Sequence, residues 1–193
     1  MNLNLNRMEP HDVSSWLQGD QFDAVMNHRF QKALVGYFAE EQMDTHAFDR
    51  TLRHLLKDYP EPGTAVMLNL LGNHDTARPM TVVHRRDGGS HALESLKLMA
   101  ATQFACPGAP CIYYCDEIGM EGDKDPDCRR CYPWDWEQRA EESGQRSELL
   151  AYYKRNCRRR RPAGRPTPAS CSIACRCRSA RPRAGSGRRA GRR

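Results

Sequence analysis

The pattern of apolar and polar positions divides the first 156 residues into short strands and amphipathic helices. Short apolar runs that end at polar residues predict buried strands, whereas apolar residues three and four positions apart predict helices. The predicted strands cover residues 22–27, 65–71 and 111–115. The predicted helices cover residues 29–40, 45–58 and 91–104, and one more helix begins in 147–155. This alternation is typical of an α/β fold with a parallel sheet and covering helices.

Two of these helices have a clear apolar stripe. The stripe of helix 45–58, which we expect Pro60 and Pro62 to end, consists of Ala47, Phe48, Leu52, Leu55, Leu56 and Tyr59. Helix 91–104 has Ser90 as its predicted N-cap. Its predicted inward residues are Leu93, Leu96, Met99 and Ala100.

Polar residues follow two of the predicted strands directly. Asn73, His74 and Asp75 follow the second strand, and Asp116 and Glu117 follow the third. Ligands bind at the carboxyl ends of the strands in α/β folds, so the set predicts a ligand site. The alternative is that these carboxylates cap helices or pair with Arg78.

Charge is unevenly distributed along the chain. The 193 residues have a net charge of +6, but residues 157–193 contribute +13 through 13 arginines and residues 1–156 contribute −7. No apolar run approaches the roughly 18 residues of a membrane span, and the first residues do not resemble a signal peptide. We therefore expect neither membrane insertion nor secretion.

Residues 157–193 have a composition unlike the rest of the chain. They contain only Cys, Arg, Pro, Ala, Gly, Thr, Ser and Ile, so we expect a disordered tail. One interpretation is a polybasic arm for nucleic acid or anionic surfaces, although the tail has no aromatic residue to stack on bases. The other is that these residue types come from GC-rich codons read out of frame, and the composition favours this second interpretation.

The nine cysteines, without a signal peptide, indicate reduced thiols in a cytoplasmic protein. Cys128 and Cys131 have CxxC spacing, but a structural zinc site usually needs a second pair, for which Cys106 and Cys111 are the candidates. Ordinary thiols are the favoured interpretation. We predict neither a metal nor a cofactor.

Four stretches of the chain resemble the α-amylase family of glycoside hydrolases (family 13), nearest to its neopullulanase and cyclomaltodextrinase branch. They are residues 16–27, 69–78 and 107–120, and residues 125–130 followed by 133–135. The resemblance covers about residues 14–155. It implies part of a (β/α)8 TIM barrel, with the first three stretches matching about strands six to eight and their helices. Residues 1–13 then form an unmatched N-terminal segment, 14–156 the partial barrel and 157–193 the tail.

The resemblance also implies the chemistry. The family cleaves α-1,4 or α-1,6 glucosidic bonds with retention, using an Asp nucleophile, a Glu general acid and a third Asp that stabilises the transition state. Asp75 matches that third carboxylate and His74 the adjacent histidine, which is expected to bind the same glucose. We assign to substrate binding His74, Asn73, Arg78, Asp116 and Glu117. The implied ligand is an α-glucan oligosaccharide such as a malto-oligosaccharide or pullulan.

The chain departs from the family pattern in several places. No segment matches the nucleophile strand, and Glu9 lies near the expected general acid without matching its motif. Cys115 stands where the family usually has Gly, and Pro79 and His28 replace usual aromatic residues. We therefore expect a hydrolase fragment that is inactive alone. Because three strands cannot close a barrel, we also expect open sheet edges and a tendency to aggregate.

Two alternatives from other functional classes stay open. The chain is then either a noncatalytic glucan-binding remnant or a nucleic-acid-binding protein that acts through its Arg-rich tail. The aromatic residues available for stacking on sugar rings are Tyr113, Tyr114, Trp134 and Trp136.

Overall fold

The computed structural model of the chain describes residues 15–18, 21–138 and 140–160. Its helices, in chain order, are α1 (His28–Leu34, continued by a π-helical turn Val35–Ala39), α2 (Thr45–Asp58), α3 (Glu61–Val66), α4 (Pro79–Asp87), α5 (Ala92–Ala105) and α6 (Ala140–Arg160). Its strands are β1 (Leu68–Leu70) and β2 (Ala109–Cys111). Short 3-10 turns cover Asp116–Ile118, Asp127–Arg129 and Trp136–Gln138.

The two strands form a parallel ladder, as the βαβαβ pattern predicts. Leu68 pairs with Ala109, and Leu70 pairs with Cys111. A third, parallel pairing joins Met26 to Leu68 on the other side of β1. The sheet order is therefore the segment around Met26, then β1, then β2, with helices as the crossovers.

The strands are shorter than the apolar runs that predicted them. The first predicted strand, 22–27, is a single bridge at Met26. The second begins at Leu68 because residues 61–66 form α3, with Pro62 at a first-turn position that tolerates its missing N–H. Pro62 therefore lies inside a helix that the apolar pattern did not predict. The third strand ends at Cys111, so the prediction of 111–115 was displaced toward the C-terminus.

Helix α2 has the predicted bounds, and the Asp44 carboxylate caps it by accepting a 2.7 Å hydrogen bond from the amide of Ala47. Leu55 and Tyr59 of its stripe are buried, but Leu56 is 51% exposed, so including it was wrong. Helix α5 begins one residue later than predicted, and its N-cap residue is His91 rather than Ser90.

The inward residues predicted for α5 are confirmed in large part. Leu96, Met99 and Ala100 are buried, and Leu93 packs partly buried against the same core.

Helix α4 was not predicted, because its residues lack a strong apolar stripe. Its termini carry the signal instead: Pro79 occupies the first turn, and Gly88 ends the helix in the left-handed region at φ 65°.

Helix α6 extends beyond the predicted segment at both ends. Residues 157–160, which we expected to belong to a disordered tail, form its last turn. The Arg160 guanidinium donates to the carbonyls of Phe104, Cys106 and Gly108, which lie at and just after the end of α5. A cation at these carbonyls satisfies groups that α5 leaves unpaired.

The main core lies between the sheet and the helices. It contains Phe30, Leu34, Leu55, Met67, Leu71, Val83, Leu96, Met99, Leu149 and Tyr153. Residues 1–14, including Glu9 and the unmatched segment, and residues 161–193 of the expected tail lie outside the described residues. Within the described part, every helix is too short or too polar to cross a membrane.

Candidate active site

The loop that follows β1 is organised by the side chain of Asn73. Its Oδ1 accepts hydrogen bonds from the backbone amides of Asp75 (2.8 Å) and Thr76 (3.0 Å). Its Nδ2 donates to Gln31, which itself donates to the carbonyl of Leu71 at the end of the strand. Asn73 is 4% exposed. Because buried amide groups with satisfied partners hold fixed rotamers, this residue determines the direction in which the loop leaves the sheet.

The loop presents Asp75 and His74 to solvent. Their side chains are 64% and 55% exposed, and His74 Nε2 lies 3.3 Å from Asp75 Oδ1. Arg129, in the 3-10 turn 127–129, contacts both residues: its Nε donates to the His74 carbonyl at 3.0 Å, and its Nη2 lies 3.5 Å from Asp75 Oδ1. Asp125 pairs with the same guanidinium at 2.6 Å. The carboxylate is therefore held at the surface with capacity to accept further hydrogen bonds.

Arg78 lies at the end of the same loop in a fully buried position. Its Nη1 donates to Asp116 Oδ1 (2.9 Å) and to the Tyr114 carbonyl (2.7 Å), and its Nε donates to the Cys128 carbonyl (3.0 Å). The guanidinium carbon is 4.5 Å from the ring centroid of Tyr113. Arg78 thus joins three loops. For Asp116, the alternative prediction of a carboxylate paired with Arg78 is confirmed.

Asp116 and Glu117 are buried in the neighbouring 3-10 turn, where they are 6% and 7% exposed. Burial raises the pKa of Asp116 to about 7, and the charge of Glu117 adds to this effect, whereas the charge of Arg78 opposes it. Burial likewise raises the pKa of Glu117. Within the described part of the chain, one oxygen of each carboxylate and Nη2 of Arg78 have no hydrogen-bond partner.

The predicted site residues therefore fall into two groups. Asn73, His74 and Asp75 share the loop after β1, with the last two exposed. Arg78, Asp116 and Glu117 are enclosed by protein rather than facing solvent. Arg78 binds Asp116 and the carbonyls of Tyr114 and Cys128.

The structure adds two residues that were not among the predicted site residues. Gln31 supports Asn73 from α1, and Arg129 contacts Asp75 from the loop beyond β2. Arg129 lies in one of the four stretches that carry the family resemblance, which was the available signal. Gln31 has no such signal, because its role depends on the packing of α1 against the loop.

Cys115 occupies a left-handed backbone position with φ 69°. A left-handed position suits a residue without Cβ, which agrees with the Gly that the family usually has there. The side chain is fully buried, and burial raises the pKa of its thiol to about 12. A thiol with such a pKa is not a nucleophile at neutral pH.

The four aromatic residues predicted to be available for stacking on sugar rings differ in their exposure. Trp134 is 68% exposed and Trp136 is 2% exposed, with its indole N–H donating to the hydroxyl of Tyr132. Tyr113 and Tyr114 are half-buried beside Arg78.

In the described residues, no group of three or more metal-ligating side chains lies close enough together to hold a metal ion. The two cysteines of the CxxC pair differ in exposure, because Cys128 is buried and Cys131 is exposed.

A cleft of ≈ 670 Å³ opens beside Asp75. It runs between α1 and α4, and its walls include His28, Gln31, Val82 and Arg85. A cleft of this size accommodates a ligand as large as a small oligosaccharide. The loop that carries Asp75 forms one end of it.

Comparison with known proteins identifies the family of the chain. The family described as "Alpha amylase, catalytic domain" matches residues 5–164, a range that begins inside the segment 1–13 left unmatched by the motifs. A cyclomaltodextrinase of Geobacillus thermopakistaniensis is 46% identical over 68% of this chain and 21% of its own length. Neopullulanase 2 of Thermoactinomyces vulgaris is 41% identical over 75% of this chain and 23% of its own length.

Solved structures give the same result. A cyclomaltodextrinase structure has a TM-score of 0.67 at 40% identity, over 79% of this chain and 24% of that chain. A cyclic alpha-maltosyl-(1-->6)-maltose hydrolase from Arthrobacter globiformis in complex with maltose has a TM-score of 0.64 at 35% identity, over 78% of this chain and 32% of that one. The chain spans about a quarter of the length of the curated relatives it matches. These neighbours imply a TIM-barrel fold, and the chain belongs to the α-amylase catalytic-domain family.

Proposed function

We propose that this chain forms the side of an α-glucan hydrolase active site that holds the sugar next to the scissile bond. In this proposal, the segment around Met26, β1 and β2 correspond to about strands six to eight of the family barrel. The observation that carries the proposal is the placement of Asp75: it is an exposed carboxylate at the carboxyl end of a parallel strand, fixed by Asn73 and contacted by Arg129.

Asp75 is the proposed transition-state stabiliser. An ionised carboxylate only accepts hydrogen bonds, so it suits the hydroxyl donors of a glucose ring. Hydrogen bonds to the sugar hydroxyls strengthen as the ring flattens toward an oxocarbenium ion, which lowers the barrier rather than only tightening binding. His74, exposed beside Asp75, is the second proposed sugar contact, and Asn73 holds both in place.

Arg78, Asp116 and Glu117 have a positioning role in this proposal. Their side chains are buried, so they act on the sugar through the loops that they join. Arg78 binds the carbonyls of Tyr114 and Cys128, and the Cys128 thiol in turn donates to the His74 carbonyl at 3.1 Å. The buried pair therefore fixes the backbone beneath the exposed residues.

The chain alone is proposed to be inactive. Retaining hydrolysis needs a nucleophile and a general acid about 5–5.5 Å apart across the bond. Among the described residues, Asp75 is the exposed carboxylate that the family motif assigns to catalysis, and its role is neither of those two. Turnover of maltotriose or pullulan by the isolated chain, abolished by Asp75→Asn, would contradict this part of the proposal.

A chimera tests the role of Asp75 directly. Residues 15–160 would replace the matching segment of the Geobacillus cyclomaltodextrinase, which carries the rest of the catalytic domain. We expect a chimera that hydrolyses malto-oligosaccharides. Asp75→Asn should lower its kcat/KM by about a thousandfold, equivalent to ~4 kcal/mol of transition-state stabilisation.

Asp123→Asn is the matched control. Asp123 is also an exposed carboxylate, but it pairs with Arg85 at the surface. This variant should retain activity within about twofold, since exposed ion pairs contribute little. A folded, active chimera in which Asp75→Asn has no larger effect than Asp123→Asn would refute the assignment.

A second candidate function, glucan binding without hydrolysis, is favoured by one observation. Trp134 is 68% exposed, and its ring centroid lies 4.7 Å from that of Tyr132, which forms an open aromatic surface. Retention on amylose resin that Trp134→Ala removes would support it.

The nucleic-acid alternative depends on residues outside the described part. A cytoplasmic location stays a proposal, supported by a 34% identical relative named "Intracellular maltogenic amylase" from Bacillus subtilis.

A further inference from the structure

The cleft beside Asp75 extends along two neighbouring helices. His28 begins α1 and Glu40 follows its π-helical continuation, and both residues line the cleft. On the side of α4, Ala77 lies just before the helix and Arg86 lies in its last turn. Because a helix rises by about 1.5 Å per residue, Arg86 lies ~10 Å along the α4 axis from the loop that carries Asp75. The cleft therefore has one end at this loop and a far end at the carboxyl ends of both helices.

The cleft is lined by more cations than carboxylates. Its carboxylates are Glu40 and Asp75, whereas its cations, which we call the cationic patch, are Lys32, Arg85, Arg86 and Lys124. Residues 1–156 have a net charge of −7, so their average composition would give an acidic surface. The excess of positive charge is therefore a local property of this cleft.

The two arginines of the cationic patch are held in place by groups outside the cleft lining. Arg85 Nη2 lies 2.6 Å from Asp123 Oδ2, and Arg86 Nη1 lies 3.1 Å from Glu41 Oε1. Arg86 Nη1 also donates a 2.9 Å hydrogen bond to the Phe38 carbonyl, and its side chain is 17% exposed. These contacts position the two guanidinium groups at the far end of the cleft before any ligand binds.

The two lysines of the cationic patch have no such partners. Within the described part of the chain, the ammonium groups of Lys32 and Lys124 form neither an ion pair nor a hydrogen bond. Lys32 lies on α1 beside Gln31, and Lys124 lies next to Asp123, the partner of Arg85. Like charges gathered along one cleft attract ligands of the opposite sign. The lysines therefore have their full charge available for an anionic ligand.

We propose that the cationic patch binds the phosphate group of a phosphorylated malto-oligosaccharide whose glucose ring lies at Asp75. The proposal rests on the proposed function, because Asp75 is the proposed sugar contact. A phosphate ester carries roughly two negative charges and several acceptor oxygens at neutral pH. Lysine binds phosphate as a point charge, and arginine adds directed hydrogen bonds. A neutral glucan offers only hydroxyl groups, which need no cation.

The test compares three probes that bind to the full chain without being hydrolysed. They are maltose 6′-phosphate, maltose and inorganic phosphate, each measured by isothermal titration calorimetry at low salt. We expect maltose 6′-phosphate to bind at least about tenfold more tightly than either of the others, since it contacts both ends of the cleft. Raising the NaCl concentration from about 50 to about 200 mM should weaken binding of the ester but not of maltose.

Lysine substitutions locate the phosphate site. Lys32→Ala and Lys124→Ala should each weaken binding of maltose 6′-phosphate by about tenfold, because each removes one charge-assisted contact, and they should leave maltose binding unchanged. Lys57→Ala is the matched control: Lys57 is an exposed lysine in the last turn of α2 and does not line the cleft. This variant should bind all three probes as the unchanged chain does.

The possible outcomes separate the two proposals. Equal affinities for maltose and its phosphate, or equal effects of Lys57→Ala and the two cleft variants, would overturn the phosphate site. Inorganic phosphate that binds as tightly as the ester would also overturn it, because the sugar would then play no part. A preference for the ester that depends on Lys32 and Lys124 but is unaffected by Asp75→Asn would support the phosphate site while contradicting the proposed role of Asp75.

Discussion

Gly72 permits the buried ion pair to form, and replacing it should be among the most damaging single substitutions in the chain. A Cβ at this position would lie 2.2 Å from Oδ2 of Asp116 and 3.0 Å from its Cγ. Ordinary nonbonded contacts of heavy atoms are at about 3.5 Å. The Asp116 carboxylate cannot swing aside into solvent, because it is buried and its other oxygen accepts from Arg78 at 2.9 Å. Gly72→Ala must therefore displace the carboxylate from its partner.

The expected cost follows from what the displacement breaks. Separating a buried ion pair costs ~3–5 kcal/mol, because it leaves an uncompensated charge in the interior. Gly36→Ala is the control, since Gly36 is also buried and a Cβ there would meet no atom within 4 Å. Gly36 lies in the π-helical turn after α1, so alanine there should stabilise the fold by ~0.5–1 kcal/mol.

Urea unfolding followed by circular dichroism measures both variants against the unchanged chain. We expect the midpoint to fall for Gly72→Ala, or the variant not to fold at all, and to stay or rise for Gly36→Ala. If Gly72→Ala unfolds within about 1 kcal/mol of the unchanged chain, the carboxylate is not confined as the structure indicates. The positioning role of Asp116 would then be refuted.

Three further predictions concern the same region. Cys115→Gly should be more stable than Cys115→Ala by ~1 kcal/mol, because glycine avoids the left-handed strain at φ 69°; an alanine variant of equal or greater stability would contradict this. Burial raises the pKa of Asp116 from 3.8 to about 7. The Asp116 carboxyl therefore binds its proton more tightly in the folded chain than in the unfolded chain. As a result, the free energy of unfolding should decline as pH rises from about 4 to about 7. Asp116→Asn should reduce that decline, and an unchanged pH profile would exclude Asp116 as its source. Asn73→Ala should increase amide hydrogen exchange at Asp75 and Thr76, whose N–H groups lose their acceptor, whereas unchanged protection would show that the loop does not depend on Asn73.

Local patterns in the sequence predicted the parts of the fold that depend on local physics. Helix α2 has its predicted bounds because its stripe, its Asp44 cap and the extended backbone at Tyr59 agree. The parallel arrangement of β1 and β2 follows from the intervening helices. Strand length was less predictable: an apolar run such as 65–71 does not distinguish a strand from a short buried helix, and α3 takes part of it.

By itself, the sequence determined that Asp75 follows a buried strand in a motif that resembles glucan hydrolases, and that Cys115 stands where that family usually has Gly. Only the tertiary structure decided that Arg78 and Asp116, 38 residues apart, form a buried pair, and that Arg129, 54 residues from Asp75, reaches its carboxylate. The same structure decided that Leu68 is exposed although it lies in an apolar strand. The reason is physical: periodicity shows which face of an element is apolar, but burial depends on which distant elements pack against that face.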